Sequence, residues 1–178
     1  QLERILLAPL VAECLETHGH QARQHGVTLL AEVPPELALT ADAGEVGIIL
    51  NNLVSNAIKY NREGGEARVR VTATPQGVRF TVSDTGIGMT PEECAKLFGE
   101  FVRIKNRKTR RIPGSGLGLS IVRKLAHLYH GDITVKSTPD NGSEFTVSLQ
   151  DLESPCGKEE DHGPFFAPNR ERMNNQSA

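Results

Sequence analysis

Cysteine is scarce in this chain: Cys14, Cys94 and Cys156 are far apart and odd in number among 178 residues. That excludes a disulfide framework and a Cys-x-x-Cys zinc site, and it favours a reducing, cytoplasmic compartment. The chain also lacks an apolar run long enough to cross a bilayer, since Ile5 to Ala12 is short and contains Pro9. It lacks an excess of either charge. The formal net charge of -2 gives no global attraction to nucleic acid or acidic lipid. No internal repeat is present. The histidines are dispersed, with His18 and His20 flanking Gly19 and His127 and His130 near the end of a helix, so no metal is assigned to them. The chain begins at Gln1 without a signal peptide. It is therefore expected to be a piece of something longer, with any membrane anchor upstream.

What is present suits one domain with a real core and a tail to spare. Gln1 to Gln24 reads as a helix interrupted at Pro9, followed by short strands at Val27 to Val33 and Leu37 to Thr40. Asp42 is a good N-cap for a helix burying Val46, Ile49, Leu50, Leu53, Ala57 and Ile58 and stopping near Asn61. Ala67 to Thr74 and Val78 to Ser83 alternate as a hairpin, and Thr90-Pro91 starts a short helix running to Phe98. Residues 99–113 show no periodicity and hold Arg103, Lys105, Arg107, Lys108, Arg110 and Arg111. A loop that long is expected to be a lid or disordered. Ser115 to Tyr129 reads as a helix, and Asp132 to Ser137 with Glu144 to Leu149 as a final hairpin. From about Asp151 the apolar period vanishes, which predicts a disordered tail over 151–178. The fold class expected is α/β: a two-layer sandwich, a mixed sheet covered by helices on one face.

Three segments carry chemistry. On the helix after Asp42, Asn52 and Asn56 are four apart and share a face, with Lys59 and Tyr60 one turn on. Two poor helix formers on one face are either a solvated stripe or a site. As a site, Asn56 offers a carbonyl oxygen to Mg²⁺, Lys59 a point charge to phosphate, and Tyr60 a wall for a base. Asp84 ends a strand and is followed by Gly86 and Gly88, which spare room for a ligand. This is either an acidic turn or an acceptor for an exocyclic amine, selecting adenine over guanine. Gly114, Gly116 and Gly118 open a helix, where backbone N–H groups face phosphates. The run has no Gly-Lys-Ser/Thr, so it is not a P-loop, and no strand directly precedes it, so it is not a dinucleotide fingerprint. Six cations without interleaved aromatics could be a solvated loop or a nucleic-acid patch, but a lid closing over a triphosphate explains better why the segment sits between the two glycine loops.

In this order the motifs resemble the ATP-binding catalytic domain of bacterial sensor histidine kinases, within the wider family of gyrase, Hsp90 and MutL-type ATPases. Asn52 to Tyr60 is similar to the N box, Asp84-Thr-Gly86-Ile-Gly88-Met89 to the G1 box, Leu97-Phe98-Gly-Glu-Phe101 to the F box, and Gly114-Ser115-Gly116-Leu117-Gly118-Leu119 to the G2 box. His130-Gly-Asp-Ile133 and Gly142-Ser-Glu-Phe145 are similar to the closing hairpin. The resemblance covers about Val27 to Gln150. It implies a Bergerat-type sandwich over 25–150, with Asn52, Asn56, Lys59, Tyr60, Asp84, Gly86, Gly88, Met89, Phe98, Phe101, Gly114, Ser115, Gly116, Leu117, Gly118 and Leu119 around MgATP: Asn52, Asn56 and Lys59 in the catalytic role, and Asn56 at the metal. Residues 1–24 resemble the end of an upstream dimerisation helix or its linker.

Two departures refine this expectation. The hydrolysing members place a glutamate four residues before the Mg-binding asparagine; here that position is Asn52, an amide that is no general base near neutral pH. ATP is then a phosphate donor rather than a hydrolytic fuel. No histidine is followed by an acidic residue in a helical setting, so the phosphoacceptor is expected upstream of this chain. The resemblance implies ATP, the chain's own upstream dimerisation domain and, through it, a response regulator as partners. It implies no nucleic acid, a monomeric fragment and a homodimeric full-length protein. An anti-sigma-type serine kinase and a non-catalytic ATP-binding scaffold share these boxes and stay open at this point.

Overall fold

A strand and a helix begin the chain: β1 (Glu3–Leu6) runs directly into α1 (Leu7–Gln24), and β2 (Thr28–Glu32) and β3 (Ala38–Ala41) follow. Then come α2 (Ala43–Lys59), the hairpin of β4 (Glu66–Thr74) and β5 (Gly77–Asp84), α3 (Pro91–Lys96), α4 (Gly118–Leu128) and the hairpin of β6 (Ile133–Ser137) and β7 (Ser143–Gln150). This is a computed structural model, and it describes residues 1–99, 104, 109, 112, 114 and 116–152. The expected cations of the lid and the tail from 153 onward lie outside the described residues.

Five strands form one sheet in the order β2-β4-β5-β7-β6, with β2 parallel to β4 and every other pair antiparallel. Period-two alternation puts one apolar set on one face. The register aligns Val71, Phe80, Val147 and Ile133 across four strands, and Val69, Val82, Phe145 and Val135 in the row beside them. Phe80 and Val147 are fully buried, and each such side chain contributes roughly 1.5–3 kcal/mol of apolar burial. The opposite face carries Arg70, Arg79, Thr81, Thr134, Lys136 and Thr146. Among the described residues the sheet is therefore covered by helices on one side only, and the expected two-layer α/β sandwich is what forms.

α2 is the central helix. Asp42 caps it, its Oδ1 accepting from the N–H groups of Gly44 (2.9 Å) and Glu45 (3.1 Å). Val46, Ile49, Leu50, Leu53, Val54, Ala57 and Ile58 are buried against the sheet at helical spacing. At its other end, Asn61 donates to the carbonyls of Ala57 (3.0 Å) and Glu66 (2.9 Å), which turns the chain into β4.

The N-terminal segment departs from the single helix expected there. Glu3–Leu6 pairs antiparallel with Ala38–Ala41 instead. Pro9 does not interrupt α1, because it lies in the first turn, where backbone N–H groups have no intrahelical partner. α1 places Leu7, Val11, Cys14 and Ala22 in the same core as α2. The two helices thus pack into one core. Two helices are also shorter than expected: α3 ends at Lys96 rather than Phe98, and α4 begins at Gly118 rather than Ser115.

Candidate nucleotide site

The C-terminal half of α2 supplies one wall of a cleft with about 1040 Å³ of atom-free space, its open mouth included. That volume suits a ligand of nucleotide size. Asn52, Asn56, Lys59 and Tyr60 all line it, because i, i+4 and i+7 spacing puts them on one helix face. Asn52 is held by its own helix: its Nδ2 donates to the Ile48 carbonyl at 2.8 Å. Its Oδ1 lies where a Cβ on Gly118 would press, so a side chain at that position would displace the Asn52 amide.

β5 delivers Asp84 to the cleft's inner end. Its Oδ1 accepts from the Gly86 amide at 2.8 Å, and the Ser143 amide donates to the same carboxylate. Burial pushes the Asp84 carboxyl up to about 6, while those two amides pull against the rise. The group is a hydrogen-bond acceptor near neutral pH.

The glycines after Asp84 have a different physical reason from the ligand clearance read in the sequence. A Cβ on Gly86 would run into the Tyr60 carbonyl, and one on Gly88 into the Thr138 carbonyl. Gly88 also has φ +60°, a conformation with little steric cost for glycine alone. The loop is packed backbone to backbone between α2 and the β6–β7 turn, with Ile87 N–H donating to the Tyr60 carbonyl at 3.0 Å and Asp140 N–H to the Ile87 carbonyl at 2.8 Å.

The structure thus brings Asn52, Asn56, Lys59, Tyr60, Asp84, Gly88, Met89, Gly114, Gly116, Gly118 and Leu119 around one cleft. Gly86 lies behind the wall, Phe98 packs against the hydrophobic core, and Leu117 caps α4. Phe101 and Ser115 lie outside the described residues. Among the described residues, six further ones line the cleft: Ile87 and Leu97, which stand inside the G1 and F boxes, and Ile104, Thr109, Ser143 and Phe145. The last two stand in the Gly142-Ser-Glu-Phe145 run, where strand alternation beside an inward Val147 was the available signal. Thr109, buried, donates its hydroxyl to the Ile104 carbonyl, a contact that no sequence period announces.

Among the described residues no group of three or more His, Cys, Asp or Glu side chains could hold a metal ion. The oxygen that α2 offers is an amide carbonyl, Asn56. That donor set suits a hard cation carried mainly by phosphates and water.

A one-sided mixed sheet with a cleft between its helix layer and a glycine-rich loop defines an ATP-binding class of domain. The family described as histidine kinase-, DNA gyrase B-, and HSP90-like ATPase matches residues 41–153, and the chain belongs to it. An uncharacterised sensor-like histidine kinase of Rhizobium meliloti is 38% identical over 149 residues, 83% of this chain and 28% of the relative. The catalytic domain of histidine kinase ThkA superposes with a TM-score of 0.74 at 26% identity, covering 85% of this chain and 98% of that one; ThkA is also solved in complex with the response regulator protein TrrA. Full-length ShkA in complex with AMPPNP superposes with a TM-score of 0.73 at 30% identity, over 87% of this chain and 32% of that one. Within its family the chain is a catalytic domain of the sensor histidine kinase type. It spans less than half the length of the first curated relatives it matches.

Proposed function

We propose that this domain binds MgATP in the cleft and presents the γ-phosphate to a histidine on a dimerisation segment that is not part of this chain. The phosphoryl group then passes to a response regulator. The observation that carries the reading is the convergence on one cleft of Asp84, Asn56 and Lys59 with Gly114, Gly116 and Gly118. Asp84 accepts from the exocyclic amine of adenine. Tyr60 and Met89 flank the base. Lys59 and the N–H groups at the start of α4 meet the phosphates. Asn56 supplies one oxygen to a Mg²⁺ that otherwise rests on phosphates and water.

In the transfer, a histidine nitrogen forms a bond to the γ-phosphorus, the bond to the β–γ bridging oxygen breaks, and ADP leaves. The domain contributes position and charge neutralisation. Asn52 activates no water, since its amide is no usable base, and its Nδ2 is engaged by the Ile48 carbonyl. In this reading the isolated chain is a monomer that does not phosphorylate itself, and the whole protein is a homodimer working in the cytoplasm.

The test is Mg²⁺-dependent binding of a fluorescent ATP analogue, followed by transfer of labelled γ-phosphate to a supplied dimerisation segment. Asp84→Asn and Asn56→Ala are each expected to weaken binding roughly ten- to a hundredfold, the equivalent of a charged hydrogen bond or a metal contact. Label lost in acid and kept in alkali identifies phosphohistidine. Binding that is absent, or unchanged in both variants, overturns the site; acid-stable label overturns the acceptor.

A further inference from the structure

Three polar side chains form a cross-strand row at the inner end of the cleft. β5 pairs Asp84 with Ser143, and β6 pairs Ser137 with the same Ser143. Their neighbours two residues away, Val82, Phe145 and Val135, belong to the apolar face, so all three side chains stand on the helix-covered side. Asp84 and Ser143 line the cleft; Ser137 does not.

Ser137 Oγ accepts from the Met89 N–H at 2.8 Å, and it lies 2.9 Å from both the Gly142 carbonyl and Ser143 Oγ. A serine hydroxyl has one proton and two acceptor sites. The Gly142 carbonyl otherwise receives the Thr138 N–H at 3.3 Å, so the Ser137 proton is its closer donor. With that proton committed, Ser137 has one acceptor site left, and the Ser143 proton fills it. Ser143 then turns only lone pairs toward the cleft, next to the Asp84 carboxylate.

Resting on the reading that a nucleotide base meets Asp84, we propose that Ser137 is a positioning residue for base selection. It holds Ser143 as an acceptor-only neighbour of Asp84, and the pair favours a base edge bearing an amino group over one bearing a carbonyl. Without the Ser137 hydroxyl, Ser143 rotates freely and donates to a carbonyl edge, which relaxes the preference for adenine over guanine.

The experiment measures displacement of a fluorescent ATP analogue by ATP and by GTP, with Mg²⁺ present, in the parent chain and in Ser137→Ala, Ser137→Thr, Ser143→Ala and the double alanine variant. Ser137→Ala is expected to lower the ATP-over-GTP preference roughly three- to tenfold, the worth of one hydrogen bond. Ser137→Thr keeps a hydroxyl and restores the preference. On the Ser143→Ala background the Ser137→Ala change leaves the preference where Ser143→Ala alone put it, since the relay has lost its end point. An unaltered preference in Ser137→Ala, or a full effect persisting on the Ser143→Ala background, overturns the proposal. If Ser137→Ala does not fold, Ser143→Ala decides alone, and an unchanged preference there is equally fatal. A parent chain that binds neither nucleotide defeats the nucleotide reading itself, and does so before any substitution is made.

Discussion

In the proposed reading, Asp84 serves binding at a cost to folding. Its carboxyl titrates near 6 in the folded chain, against an ordinary value of 3.8, because burial penalises the charge. Between those two values the folded state holds more protons than the unfolded state. This contribution to stability is therefore present at low pH and lost as pH rises toward and through 6. Asp84→Asn removes the penalty and is expected to stabilise the domain at pH 7 by up to about 3 kcal/mol, the equivalent of that shift. The same change is expected to weaken ATP binding. Urea unfolding of both proteins at pH 4.5 and 7 checks this: the difference between them shrinks at the lower pH. Binding is expected to show the opposite sign, because in the proposed reading it uses the ionised carboxylate. Affinity for ATP is expected to fall roughly tenfold from pH 7 to pH 5, and titrations with Asp84→Asn should lack that limb.

At the scale of elements, α4 is tied to α2 at both ends. Its start presses Gly118 on Asn52. At its far end Tyr129, 1% exposed, donates its hydroxyl to Glu45 at 2.5 Å and accepts the Asp42 N–H at 2.9 Å. Tyr129→Phe strands that N–H at the α2 cap and is expected to cost about 1–3 kcal/mol, read as a lower urea midpoint with unchanged slope. Burial and the Glu45 acceptor push the Tyr129 hydroxyl up to about 12. Its stabilising effect is then complete below pH 10 and lost as pH rises toward 12, so the variant should lack this part of the alkaline transition. Much at this scale was legible in the sequence. Asp42 announces α2, Thr90-Pro91 announces α3 (where Thr90 and Glu93 form a reciprocal capping box), and alternation announces β4, β5 and β7. β1 was not legible, because four residues that pair with a strand more than thirty positions away leave no local period. Ser137 was hidden for the same reason: its neighbours at Met89 and Ser143 exist only once β6, β7 and the Asp84 loop meet.

For the whole molecule, the sheet order departs most from chain order at β7. The last strand made lies between β5 and β6. It contributes buried Phe145, Val147 and Leu149 to the core, and without it β5 keeps one paired edge. Truncation after residue 136 is expected to abolish both cooperative unfolding and ATP binding, as read by circular dichroism and by the fluorescent analogue. Retained cooperative unfolding would show that β7 is an accessory to the core.

Gly88 against Thr138 and Gly142 against Asp84 then acquire a meaning in time. A chain leaving the ribosome has made every residue from Asn52 to Asp84 long before residues 138–142 exist, so its base pocket stays unbuilt until the final hairpin closes. In the proposed reading nucleotide capture therefore waits on the β6–β7 turn: a copy of this domain that stops before residue 138 lacks the packing behind its base pocket.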